Sequence, residues 1–175
     1  MSGKNRHLKG DINPIIVPVH SYHEVEAGDF MCLDAENGVV GAGLDATNYG
    51  IPFDETKMAN ASATNTQRVR YTYFLGVAME DSPSGVTENI TIAQSGMFRY
   101  PLHSSFIGAG VTVGSLISAV SDTVAAGASP QHVCIGAASA IASTAYLGYI
   151  IKAESGASFV DFQLRTAYGP GGSAS

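Results

Sequence analysis

Residues 74–79 form an unbroken apolar run, and residues 86–93 alternate polar and apolar side chains at period two. Between them, residues 80–85 read Glu-Asp-Ser-Pro-Ser-Gly, which is turn chemistry: Pro presets one backbone angle and Gly accepts the conformation that closes the reversal. The stretch 73–101 therefore predicts a β-hairpin. Its pattern returns 72 residues later in 146–164, with Gly148 at the place of Gly76 and Leu164 at the place of Ile92. A second pattern, 27–34, opens on a Gly-Asp turn, enters a strand at Phe30, turns at 35–38 and returns at Val39 and Val40. It recurs 86 residues later in 113–120, where Gly114 matches Gly28 and Leu116-Ile117 match Phe30-Met31. Two modules alternating in the order A, B, A, B predict a duplicated β unit.

Upstream, Asn13-Pro-Ile-Ile-Val-Pro-Val-His20 is apolar and extended, with Pro14 and Pro18 each removing a backbone donor. Such a segment is barred from a sheet interior and predicts an edge strand or, preferred here, an arm laid on a neighbouring subunit. Residues 1–10 are expected to be disordered or to order only on a partner. Residues 44–70 are polar and rich in Asn, Thr and Ala, with Ile51-Pro-Phe53 as their one sharply apolar point, and predict a surface excursion. The Gly- and Ser-rich end, 169–175, reads as a flexible tail. The expected organisation is an arm over 1–24, an all-β barrel or sandwich over 25–168 with the long polar loop at 44–70, and the tail.

Composition sharpens this. Only 14% of residues are charged, Gly numbers 20 and Trp is absent, as suits a β protein built from small residues and not a helical enzyme. The formal charge is −6, although the first ten residues carry Lys4, Arg6 and Lys9 and no acid. An acidic body predicts no nucleic-acid partner. Cys32 and Cys134 stand apart without metal-ligand spacing and are expected as buried free thiols, which suits assembly in a reducing cytoplasm. The N-terminus has no apolar stretch of the signal-peptide type. The uncharged run 133–151 is Ala-, Ser- and Gly-rich and is expected as paired strands, not a membrane span.

Most candidate positions for chemistry fall in turns. No Gly-x-Ser-x-Gly is present, and Ser95-Gly96 and Ser155-Gly156 sit at hairpin ends. His20, His23 and Glu24 are close in sequence, but an extended backbone sends His20 and His23 to opposite faces, so no metal site is expected. Glu80-Asp81 lies at a turn tip, where acids are solvated. Glu154 and Asp161 lack an aromatic-rich cleft to serve. Gly108-Ala-Gly110 opens no helix and so makes no phosphate loop. No cofactor and no catalysis are expected.

With the modules set out, the chain resembles the capsid cement, or head decoration, proteins of tailed bacteriophages that carry a β-tulip domain. The resembling residues are Gly28-Asp29, Phe74-Leu-Gly-Val-Ala78, Ile92-Ala-Gln-Ser-Gly-Met-Phe98, Val113-Gly-Ser-Leu-Ile117 and Tyr146-Leu-Gly-Tyr-Ile150 with the Ala-Glu-Ser-Gly turn after it. They span about 25–165, and their order and spacing carry the resemblance. It implies a non-enzymatic protein, made in the host cytoplasm, that binds the outer surface of the phage head. It further implies a homotrimer that holds neighbouring major capsid protein subunits together, with no nucleic-acid or membrane partner. On this reading Ile12, Pro14, Ile15, Ile16, Val17, Pro18, Val19 and, in the long loop, Phe53 are the expected capsid or intersubunit contacts. Two other readings stay open: a receptor- or glycan-binding surface module of a virion, and a trimeric β-clip nucleotide hydrolase. The second would need an Arg in the Gly-rich tail, and the tail has none.

Overall fold

The structure, a computed structural model, describes residues 6–19, 21, 23–33, 50–52, 74–102, 107, 111–121, 131–135, 146–154, 156 and 158–165. Among these the fold is all-β, with no helix. Eleven strands follow one another: β1 (Arg6–Lys9), β2 (Pro14–Val19), β3 (Phe30–Leu33), β4 (Gly50–Pro52), β5 (Phe74–Ala78), β6 (Glu88–Ala93), β7 (Ser95–Pro101), β8 (Leu116–Ser121), β9 (Gln131–Ile135), β10 (Gly148–Lys152) and β11 (Phe159–Arg165). They form a closed barrel in the order β2-β4-β3-β5-β6 and a six-stranded sheet in the order β1-β7-β11-β10-β8-β9.

These two sheets are one architecture built twice. β2, β3, β4, β5 and β6 correspond in order to β7, β8, β9, β10 and β11, and the pairings transfer register by register. Phe30 pairs with Val77 and Met31 with Gly76, as Leu116 pairs with Tyr149 and Ile117 with Gly148. Cys32 faces Ile51 as Ser118 faces Cys134, and Val17 faces Ile90 as Tyr100 faces Val160. The parallel contact of Val19 with Gly50 that closes the first unit returns as Leu102 with Val133 in the second. Backbone hydrogen bonds repeat too: Gly28 N–H donates to the Ala78 carbonyl (2.7 Å) and Gly114 N–H to that of Ile150 (2.8 Å). Gly28 (φ 100°) and Gly114 (φ 90°) occupy the left-handed region that the entry turn requires.

The duplicated unit predicted from the sequence is therefore present, with one change. The counterpart of Ile92 is Phe162, not Leu164: Ala78 pairs with Ile92 and Ile150 with Phe162, the second connection being two residues shorter. Shortening by two leaves the pleat in phase, so inward and outward residues keep their faces.

The N-terminal arm is corrected. Residues 6–9, expected to be disordered or to order only on a partner, form β1 and pair with β7, Arg6 opposite Arg99 and His7 opposite Phe98. Residues 14–19 are not laid outward either; β2 pairs along its whole length with β6, from Pro14 opposite Ala93 to Val19 opposite Glu88. The prolines permit this because of where their missing donors fall. Thr91 N–H and C=O engage Glu80 and Met79 on the β5 side, so its partner Ile16 is in a non-hydrogen-bonded pair. Pro14 and Pro18, two residues either side, share that phase and owe β6 no donor. The 24/25 boundary is accordingly not a boundary of the body. The surface excursion is corrected at Gly50–Pro52, a barrel strand between β2 and β3. The remaining expectations for 35–40, 44–49, 53–70 and 169–175, and the side chain of Cys134, lie outside the described residues, whereas Cys32 is buried, as expected.

Two clusters fill the units. Val17, Val19, Val25, Met31, Leu75, Ala78, Ile90 and Ile92 form the interior of the first. Their counterparts in the second include Ile117 and Leu147, together with Tyr100, Ile150 and Phe162, which are larger than Val17, Ala78 and Ile92 at the same places. The outer face of the first unit, with Phe30, Cys32, Phe74, Val77 and Ala93, belongs to this second cluster. Phe30 stacks on Tyr100 with ring centroids 4.4 Å apart, and the Tyr100 hydroxyl donates to the Gly28 carbonyl. One unit thus packs its outside onto the core of the other.

Candidate functional site: two outward faces

Alternation along β2 divides the expected contact residues. Val17 and Val19 are buried in the first unit's interior. Pro14 is exposed, Ile15 and Pro18 are half-buried, and Ile16 is 73% exposed, the most open large apolar side chain described. Ile12 packs against the second cluster, and its carbonyl accepts from Gln94 N–H (2.9 Å) and Ser95 N–H (3.1 Å). Of the expected set, Ile16 and Pro14 remain available to a partner; Phe53 lies outside the described residues.

A second face, unforeseen from the sequence, lies on the outside of the second unit. Leu116 on β8, Tyr149 on β10, Gln163 on β11 and Met97 on β7 stand side by side in register. Leu116 is 42% and Tyr149 37% exposed. One step along the strands, Arg99 donates through Nε to Asp161 Oδ1 (2.6 Å) and through Nη2 to Oδ2 (2.9 Å). This bond to Asp161, and then its charge, raise the Arg99 pKa, so the guanidinium stays charged. Lys152 Nζ stands 3.2 Å from Glu154 Oε1. The four charges rim an open cleft of about 250 Å³ with Ser158 and the exposed ring of Phe159 on its wall. The β10–β11 register shifts between Ile150 and Lys152, a bulge that sets Lys152 at this rim.

The first unit serves as an internal control. Where the second unit pairs Arg99 with Asp161, the first pairs Ile16 with Thr91. The architecture therefore closes without the ion pair, and Arg99–Asp161 equips this face with anchored donors and acceptors. The duplicated motifs could have revealed the face in sequence, because Leu116 had already been aligned with Phe30. What the sequence hid was that one of the two would be covered and the other left open.

The turn-tip acids Glu80 and Asp81 bond to backbone. Glu80 Oε2 accepts from Thr91 N–H (2.9 Å) and Asp81 Oδ1 from Ala27 N–H (2.6 Å), so the acids expected to be merely solvated tie down the first hairpin. Among the described residues no three of His, Cys, Asp and Glu are placed to hold a metal ion. His7 lies on β1 with its ring 5.3 Å from that of Phe98. No described helix is long and apolar enough to cross a membrane.

Set beside known proteins, the chain matches no family model, no curated protein and no solved structure.

Proposed function

We propose that the chain is a structural cement protein of a bacteriophage head, binding the outer capsid surface and bridging neighbouring major capsid protein subunits without making or breaking a bond. The order of the resembling motifs supports this reading, and one structural observation carries it. Two register-matched β units are fused through a single buried aromatic cluster, and each keeps large side chains turned outward, Ile16 on one and Leu116, Tyr149 and Phe159 on the other. A body so doubly hydrogen-bonded resists deformation, and two separated contact faces span more than one subunit with the gain of linked binding. In this version the bridging is done by faces of the body, since the N-terminal segment is committed to its own sheets.

Purified protein added to expanded phage shells that lack it should co-sediment at a fixed ratio and raise the temperature at which the shells disrupt. Protein that stays in the supernatant would overturn the reading.

The Arg99–Lys152 cleft favours a second reading, a glycan-binding virion module. Ion pairs fixed on either side offer donors and acceptors to sugar hydroxyls, and the Phe159 ring offers a flat apolar surface to sugar C–H groups. Retention on a glycan array that Phe159→Ala abolishes would select it, and no retention would dismiss it.

A further inference from the structure

The charge of the chain is divided between its two sheets. Residues 11–94, the stretch that supplies the barrel strands, carry twelve acids and three bases, whereas residues 1–10 and 95–175, which supply the six-stranded sheet, carry six bases and three acids. The acidity of the total thus belongs to one unit. On the outer face of the six-stranded sheet the bases stand around an apolar centre. Met97 on β7, Gln163 on β11, Tyr149 on β10 and Leu116 on β8 form one row across the strands, and Lys9 on β1, exposed and opposite Met97, ends it. The next row, Arg99, Asp161 and Lys152, lies on one side; exposed Arg165, opposite Ser95, lies on the other. Asp161 holds Arg99 and Glu154 stands beside Lys152. Asp11, in the turn beyond β1, accepts from Asn13 N–H through Oδ1 (3.3 Å). With Asp11 counted and Arg6 opposite Arg99 in register, this region still holds more bases than acids among the described residues.

We propose that this face docks an acidic surface of another protein, one that presents an apolar side chain among carboxylates. Two observations select that occupant. An apolar centre, Met97, Tyr149 and Leu116, with cations around it has the anatomy of a protein interface, where a desolvated middle is ringed by a polar rim. The charge partition then chooses the sign: the acidic barrel repels a carboxylate-rich partner while the basic end attracts it, so the field of the whole chain steers such a partner to this face and away from the other. A nucleic acid fits less well, because its regular run of phosphates would pass from these few cations onto the acidic unit. Tyr149, central and exposed, is the large side chain on which such a contact would concentrate its binding energy. The inference draws on the charge partition and is separate from the capsid reading: failure to bind shells leaves it standing, and its own failure leaves shell binding to its own test.

The test is an array of random short peptides probed with the full chain, as wild type, as the double variant Lys9→Glu with Arg165→Glu, as Tyr149→Ser and, for control, as Ser84→Glu, with circular dichroism showing that each is folded. Peptides captured by the wild type should be enriched in Asp and Glu beside Leu, Ile or Phe, and should be released as salt is raised. Capture should fall about tenfold or more in the double variant and in Tyr149→Ser. Ser84→Glu, which adds an acid at the exposed turn between β5 and β6, should leave it unchanged. As a second measurement, which needs no variant of the protein, replacing the acids of the captured peptides by Asn and Gln should abolish capture by the wild type. A wild type that captures peptides without regard to their acids, that exchanges them for a single-stranded DNA oligomer, or whose capture survives the double charge reversal overturns the proposal. So does self-association in sedimentation velocity that the charge reversal abolishes while no peptide is captured.

Discussion

Truncating Phe30 to alanine tests whether the two units are one cooperative body. The ring is fully buried, stacked at 4.4 Å on Tyr100 and 6.0 and 6.4 Å from the rings of Phe74 and Phe162. Phe→Ala in such a setting costs about 3–5 kcal/mol, from lost transfer energy plus the cavity that rigid neighbours cannot close. A domain of this kind has about 5–15 kcal/mol in all, so Phe30→Ala removes at least about a fifth of its stability and can take most of it. Leu116→Ala is the matched comparison, because Leu116 holds the same pairing in the second unit while 42% exposed. Its loss is scaled to about 1 kcal/mol by the surface already in water. Urea unfolding followed by tyrosine fluorescence and far-ultraviolet circular dichroism would measure both. The expected result for Phe30→Ala is a large fall in midpoint, with coincident transitions by the two probes and an unchanged slope. Equal losses for the two variants, or less than about 1 kcal/mol for Phe30→Ala, would refute the claim that the first unit's outer face is core.

Three further outcomes are expected. Gly148→Ala places a Cβ 2.0 Å from the Gln163 carbonyl oxygen and should cost about 3 kcal/mol by chemical denaturation. Gly76→Ala meets the Ala93 oxygen at the same distance with φ at 144° and should cost more. Burial, and then the charge of Asp29, hold the Tyr100 hydroxyl well above its usual pKa of 10.0. The unfolded chain therefore releases this proton first, so the contribution is intact below pH 10 and is lost as pH rises toward the folded value; Tyr100→Phe should flatten that alkaline fall in a pH series of melting curves. Asp161→Asn should leave the midpoint of denaturant unfolding little changed, since the Arg99 side chain is about a third exposed and the first unit does without the pair; a large fall would make the ion pair a structural requirement.

The strands were legible where a turn and a period announced them. The Gly-Asp entry at Gly28, the apolar run at Phe74 and the alternation up to Ala93 map onto β3, β5 and β6. β7 was not seen as a strand, because Ser95-Gly96 reads as a turn end, and Gly96 does adopt φ 122° before the strand runs on to Pro101. β2 was misplaced because its prolines argue against an interior strand, and only the hydrogen-bond phase set by Thr91 shows why they are harmless there. β4 has three residues and no pattern of its own; it exists because β3 and β2 offer it edges. The candidate faces were the least legible part. Leu116 and Phe30 have the same neighbours in sequence pattern, and their opposite exposures are decided by how one unit sits on the other, which no local periodicity encodes.

The covered face of the first unit has a consequence for the chain in pieces. A peptide ending at Gln94 would hold all five strands of one barrel yet leave Phe30, Phe74 and Val77 in water, while the complementary peptide from Ser95 would lack the lid over Tyr100 and Phe162. Neither half is self-sufficient, but mixed together they carry every contact that joins them. Scission at the Gln94–Ser95 junction should therefore yield two sticky fragments that rescue one another.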